Sequence, residues 1–272
     1  MIRSLHLRDF KGISYLQSAA IAKNNPQGFV FSLDKPTVIV GPNGAGKSAL
    51  LRTIAVRFLA DLTGESTFDK YYVKEQSPYW TRESKWRQDW KFLEGLECDT
   101  DNGPAVYYRP NHIPGNESSI VNAMMMGFCD EARAYAALVE KKSSGEGHSN
   151  RLKAVLSVIR KKTQPAYKYS NWNFDKEPRK LDRSQWHGDW DFRAEILKSL
   201  FEGRGATPVV LLDEPEQSLD ALAQIHFWNT LQSRPLAQTI IATHSLYPLM
   251  YPDKFSFIEA VPGYITQVNA LL

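Results

Sequence analysis

An α/β fold with a parallel sheet is predicted by three features of this 272-residue chain. Pro36 to Val40 (Pro-Thr-Val-Ile-Val) is a short β-branched run that leads straight into a glycine-rich segment from Gly41. The pairs Leu50 with Ile54 and Leu51 with Phe58 then fall at helical spacing, giving strand, loop, helix. Far downstream, Pro208 to Leu212 (Pro-Val-Val-Leu-Leu) is an unbroken apolar run, the pattern of a strand covered on both faces, and Gln238 to Thr243 is a second buried strand.

The other elements follow in chain order. Leu5 and Leu7 alternate with Ser4, His6 and Arg8, the period of a half-buried strand, although Ile2 falls on the opposite parity. A second strand, Gly28 to Leu33, follows the polar turn Lys23 to Gln27. Lys91 to Glu97 and Ala105 to Arg109 read as a hairpin around Asp101-Asn102-Gly103. Ser119 to Lys141 reads as a helix, as do residues 149 to 162, with Leu152, Val155, Leu156 and Ile159 on one face. Trp190 to Glu202 and Leu219 to Gln232 are further helices. Phe255 to Val268 resembles a hairpin around Pro262-Gly263.

Composition narrows the class. A hydrophobic share of 43% is ordinary for a globular core and excludes wholesale disorder and collagen-like structure. A net charge of +3 does not by itself mark a nucleic-acid binder. Two cysteines, Cys98 and Cys129, make no disulfide framework, so a reducing, cytoplasmic home is expected. The N-terminus is charged from its third residue and has no cleavage site of secretory type. The most apolar window, Ile120 to Cys129, has about half the roughly twenty residues a membrane helix needs.

Gly41-Pro42-Asn43-Gly44-Ala45-Gly46-Lys47-Ser48, followed by Ala49, fits G-x-x-x-x-G-K-[ST] at every fixed position. Glycines let backbone N–H groups converge on phosphate oxygens with no Cβ in the way. The helix that follows aims its unpaired N–H groups and positive dipole end at the same anion. Lys47 would place its charge on the β and γ phosphates of ATP, and the Ser48 hydroxyl would ligate Mg²⁺. The competing reading is an ordinary glycine-rich turn. Val209 to Glu216 is an apolar strand ending in acids. Asp213 there would hold Mg²⁺ and Glu214 would accept a proton from, or orient, the attacking water. An N-cap pair opening the helix from Leu219 is the structural alternative. Thr239 to Ser245 is a further apolar strand that terminates in His244.

These motifs, in this order, resemble the ABC-type ATPase head, in particular its RecF-, SMC- and OLD-like branch. Ile2, Leu5, Leu7 and the turn Asp9-Phe10-Lys11 match that branch's opening. Gly41 to Ser48 matches the Walker A loop, Leu211 to Glu216 the Walker B strand, Ser218-Leu219-Asp220 the D-loop, and Ala242 to Ser245 the switch-histidine segment. The likeness is specific over 1–60 and 184–260. It implies a single P-loop NTPase head over 1–272, with an N-terminal antiparallel β subdomain and an inserted helical, aromatic-rich subdomain over 65–190. It also implies that His244 senses or stabilises the γ-phosphate, and that Lys11 and Asp220 lie at the nucleotide.

The resemblance further implies a homodimer formed on ATP binding, each head closing the other's nucleotide with a signature loop. Two segments compete for that part. Lys142 to Gly147, with Ser143 and Gly145, has the better residues. Ser184 to Asp189, with His187, Gly188 and Asp189, has the better spacing, 24 residues before Asp213, but carries Trp186 at the serine position. The structural alternative for either is a polar helix start; Ser143 with Glu146 fits a capping box. Gln76 and Gln88 are the candidates for the family's Q-loop glutamine.

Weaker signals complete the reading. Arg151 to Arg183 holds ten Lys or Arg against three Asp or Glu, interleaved with Tyr167, Tyr169, Trp172 and Phe174. That is the composition of a nucleic-acid backbone reader, or of a solvated helix face. The aromatics from Tyr71 to Phe92 read as packing of the inserted subdomain. Met124 to Met126 read as core filler or an adaptable contact surface. His112, His148 and the cysteines lack metal-ligand spacing, so no structural zinc is expected. Three roles remain open: a head driving a DNA-linked process with an effector from a neighbouring gene, the nucleotide-binding subunit of a transporter, or a slowly hydrolysing ATP-gated clamp.

Overall fold

The computed structural model describes residues 1–8, 14–58, 61–62, 65–66, 95–101, 103, 105–110, 152–153, 155–160, 207–217, 219–233 and 237–271. Two sheets carry these residues. The larger has the order β10-β3-β9-β8-β7-β4-β5, with β3 at Thr37–Val40, β4 at Asp61–Leu62 and β5 at Glu65–Ser66. Its remaining strands are β7 at Ala105–Tyr108, β8 at Val209–Asp213, β9 at Gln238–Ala242 and β10 at Ser256–Glu259. Five strands, β10-β3-β9-β8-β7, run parallel, β4 adds one parallel pairing to β7, and β5 turns back antiparallel on β4.

Every residue of β3, β7, β8 and β9 is buried. That is the signature of a parallel sheet covered on both faces, and it explains why these strands read as near-continuous apolar runs. Helix α3, Lys47–Arg57, packs against β7, β8 and β9 and contributes Ala49, Leu50, Leu51 and Ile54, with Phe58 just after it, to one continuous core. Residues 152–153 and 155–159 are helical and bury Leu152, Val155, Leu156 and Ile159, the face that their spacing predicts.

The smaller sheet is antiparallel, with β1 (Ile2–Leu7) between β2 (Phe29–Val30) and β6 (Leu96–Thr100). The parity problem at Ile2 has a local cause. Ile2 faces Thr100 and Ser4 faces Asp99, so Arg3 is an extra residue on β1. This bulge lets both Ile2 and Leu5 point into the core, where both are fully buried.

Two expected hairpins are not formed. β6 and β7 are both strands, but β6 pairs with β1 while β7 lies parallel between β8 and β4. The turn is real, with Asp101 accepting from the Gly103 N–H at 3.1 Å and from the N-terminal ammonium, yet it carries the chain from one sheet to the other. Burial shows why. β6 alternates, whereas β7 is buried throughout and fits only inside the covered parallel sheet. These strands of the 65–190 span thus belong to the two sheets.

The C-terminal hairpin is also replaced. β10 pairs parallel with β3, and after Pro262-Gly263 the chain enters a short helix, Tyr264–Asn269. Gly263 supplies the left-handed turn, φ +76°, and Glu259 accepts from the Tyr264 N–H at 2.8 Å.

The predicted helix from Leu219 spans Ala221–Gln232 and is capped by Asp220, which accepts from the Ala223 N–H at 2.9 Å. Capping therefore falls to Asp220 rather than to Asp213 or Glu214. Among the described residues, no helix is long and apolar enough to cross a membrane.

Candidate nucleotide site

The loop between β3 and α3 opens at the C-terminal edge of the parallel strands, where β3 lies between β9 and β10. In α/β sheets that edge, at a switch in strand order, is where ligands bind. Three glycines make the loop: Gly41, Gly44 and Gly46 all have positive φ. At Gly46 a Cβ would come within 2.6 Å of Ala19 Cβ and 2.9 Å of Ile21 Cγ2, because the short helix Ala20–Asn24 packs there and Ile21 N–H donates to Ala45 O at 3.0 Å. Pro42, Asn43 and Gly44 form an exposed tip, whereas Ala45 and Ala49 are buried and hold the loop to the core.

Lys47 is buried, and its ammonium donates to Gly41 O at 2.9 Å and Pro42 O at 3.0 Å. It also lies 3.0 Å from His244 Nε2. Burial lowers the lysine's pKa, while Glu214, Asp213 and Glu216 pull the other way. Burial and the neighbouring Lys47 charge lower that of His244. A neutral His244 ring with its proton on Nδ1 accepts from the lysine. Nε2 then meets Glu214 Oε1, 3.5 Å away, as acceptor facing acceptor, so this approach is neither a hydrogen bond nor an ion pair.

Asp213, at the end of β8, is fully buried and meets donors on both oxygens. Ser48 Oγ donates to Oδ1 at 2.8 Å and Tyr107 OH to Oδ2 at 2.9 Å, with Arg109 Nε 3.9 Å from Oδ2. Burial nevertheless raises its pKa. The next residue, Glu214, has a left-handed backbone, φ +48°, and among the described residues no other non-glycine has positive φ. Strain of this kind gathers at functional turns. The Glu214 N–H donates to Ala242 O at 2.8 Å, and its Oε2 accepts from Gln217.

Lys47, Ser48, Asp213, Glu214 and His244 therefore meet in one cluster, although Lys47 and His244 are 197 residues apart in sequence. Asp220 caps its helix. Lys11, both signature candidates (Ser143, Gly145; His187, Gly188, Asp189), Gln76 and Gln88 lie outside the described residues, as does most of 151–183.

Sequence reasoning missed Tyr107, Arg109 and the role of Glu216. One signal was available for the tyrosine: a phenol in a fully buried strand needs a partner for its hydroxyl, and the neighbouring strand ends in an acid.

The donor chemistry fits a small divalent cation. A hydroxyl and a carboxylate oxygen 2.8 Å apart form the sparse, hard-oxygen set that Mg²⁺ uses beside phosphates. Among the described residues, no group of three or more His, Cys, Asp or Glu could hold a metal, so a cation here would rely on few protein ligands.

A mixed α/β fold with a five-stranded parallel sheet, a glycine loop between strand and helix and an acid ending a nearby strand is compatible with a P-loop NTPase. No family model matches the chain, and no curated protein matches it. Among solved structures it is similar to one titled "Structure of ATP binding subunit of ABC transporter", at 17% identity over 90% of this chain and 85% of that chain, with a TM-score of 0.28. At that TM-score the overlap adds nothing to the geometry above.

Proposed function

We propose that this chain is an Mg²⁺-dependent ATPase of the ABC/RecF-like type. The observation that carries the reading is the bond from Ser48 to Asp213 at 2.8 Å, with the Lys47 ammonium and His244 3.0 Å apart beside it. A lysine and a hydroxyl from a glycine loop, an acid at a strand end and a second acid next to it are the parts that phosphoryl transfer to water requires.

Lys47 and the loop N–H groups bind the β and γ phosphates. Ser48 and Asp213 would hold Mg²⁺, which when bound neutralises charge on the phosphate oxygens. Glu214 orients the attacking water or takes its proton, and His244 contacts the γ-phosphate.

The finer reading rests on the sequence. The resemblance to the ABC-type head implies an ATP-sandwich homodimer, and the Asp9-Phe10-Lys11 turn, the Asp-Glu-Pro-Glu of residues 213–216 and the basic stretch 151–183 favour DNA as what it works on. Its work would be a DNA-linked process such as repair, mobile-element function or phage defence, alongside an effector protein.

One set of measurements tests both levels. Lys47→Ala should abolish ATP binding, whereas Glu214→Gln should bind ATP, lose turnover and shift from monomer to dimer in a particle-mass measurement. Added DNA should stimulate the wild type. Undiminished ATPase activity in Glu214→Gln would refute the assignment.

A further inference from the structure

Glu216 sits in the turn after β8, three residues beyond Asp213, and its side chain reaches to the end of β9. Its Oε1 accepts from Thr243 Oγ1 at 2.5 Å and from the His244 N–H at 3.2 Å. Thr243 Oγ1 accepts in turn from the Ser245 N–H at 2.9 Å, so one carboxylate oxygen organises three successive residues. The other oxygen, Oε2, is buried and has no hydrogen-bond partner among the described residues.

Burying a carboxylate oxygen unpaired is costly, and sheet formation does not require it. The Glu214 N–H already ties the end of β8 to Ala242 at the end of β9. Among the described residues, what the Glu216 side chain adds is confined to residues 243–245, the segment that sets the His244 ring against Lys47 and Glu214.

We infer that Glu216 is a positioning residue: its carboxylate fixes the backbone of Thr243 to Ser245 and so holds the His244 ring at the phosphate end of the glycine loop. The catalytic consequence rests on the ATPase reading; the structural one does not.

The test pairs amide hydrogen exchange at His244, read by NMR, with steady-state kinetics and ATP binding on the full chain. In Glu216→Ala the His244 amide should lose protection by about tenfold or more, since its acceptor is gone. Turnover should fall by about tenfold or more while the Kd for ATP stays within about twofold, because misplacing one reacting group costs rate rather than binding. Glu216→Gln keeps a carbonyl acceptor and should restore most of the protection and most of kcat. Thr243→Val removes the donor to Glu216 and the acceptor of the Ser245 N–H while leaving Glu216 in place. It should move both readouts the same way by less, and it serves if the alanine variant does not fold.

Unchanged His244 exchange in Glu216→Ala or Thr243→Val would overturn the inference. So would a loss that Gln fails to rescue, or one that falls equally on Kd and kcat. If the wild type hydrolyses no ATP but the exchange pattern holds, the ATPase reading fails and the positioning role stands.

Discussion

The hydroxyl of Ser48 donates to Oδ1 of Asp213 at 2.8 Å, joining the first turn of α3 to the end of β8 across 165 residues. This contact puts a carboxylate where burial opposes its charge. The raised pKa fixes the sign: stability linked to protonated Asp213 is complete below the usual carboxylate range and is lost as pH rises through the raised value. Asp213→Asn removes the charge yet can still accept from Ser48. In EDTA near neutral pH it should therefore be more stable than wild type, by roughly 1 kcal/mol. On the ATPase reading, ATP with Mg²⁺ should raise the melting temperature of the wild type and leave that of Asp213→Asn unchanged. A variant less stable than wild type in EDTA would sink this account of the site.

His244 carries the opposite sign. Its pKa is lowered by burial first and by the Lys47 charge second, so the stability linked to the neutral ring is present above the usual histidine range and is lost as pH falls through the lowered value. The acidic limb of kcat/KM against pH, which reports the free protein, should lie below the ordinary histidine pKa of about 6.5. In His244→Gln that limb should move or vanish, with kcat reduced on the order of a hundredfold. A limb unmoved by the substitution would assign it to another group.

Two glycines of the same loop should respond differently to alanine. At Gly46, φ +96°, the new methyl meets Ala19 and Ile21 at 2.6 and 2.9 Å, and one of these contacts lies in a helix hydrogen-bonded to the loop. The expected cost in urea denaturation is about 2–4 kcal/mol, strain plus overpacking, with loss of nucleotide binding. At Gly44, φ +73°, the methyl meets nothing within 4 Å. Only the left-handed backbone is penalised there, by about 1–2 kcal/mol. Equal costs at both positions would mean that the packing of Ala19 and Ile21 does not shape the loop.

How far the sequence could be read follows from where each signal lies. β3, β8 and β9 were legible because strands covered on both faces spell themselves in consecutive apolar residues. The glycine loop and Asp213 were legible because their residue types and order fit a motif whose spacing is narrowly defined. Partnership between strands is not written locally. Leu96–Thr100 and Ala105–Tyr108 are joined by a good turn, and only their different burial shows that they enter different sheets. The Pro262-Gly263 turn has the same ambiguity, since a left-handed glycine serves a hairpin or a helix start equally well. Tyr107 and Glu216 make their hydrogen bonds to residues distant in sequence, so no spacing rule marks them.

The junction of the two sheets gives the last prediction. Gln238 opens β9, is buried, and uses its side-chain amide as a strand would use its backbone: Oε1 accepts from the Ile2 N–H at 2.6 Å and Nε2 donates to Ile2 O at 2.6 Å. Nε2 also lies 3.3 Å from Ser32 O, so this one side chain secures both β1 and the chain leading to β3. Alanine would leave the N–H and C=O of Ile2 without partners in a buried place, at about 1–3 kcal/mol for each unpaired group. Gln238→Ala should therefore destabilise the protein by about 2–4 kcal/mol in urea denaturation. Because β1 is tied to the parallel sheet here, amide exchange in Ile2–Leu7 should accelerate more than exchange in Val209–Asp213. Gln238→Glu sets a carboxylate oxygen against the carbonyls of Ile2 and Ser32, and near neutral pH it should destabilise at least as much as the alanine variant. Uniform acceleration across both strands would show that the sheets unfold as one unit and that Gln238 does not join separable parts.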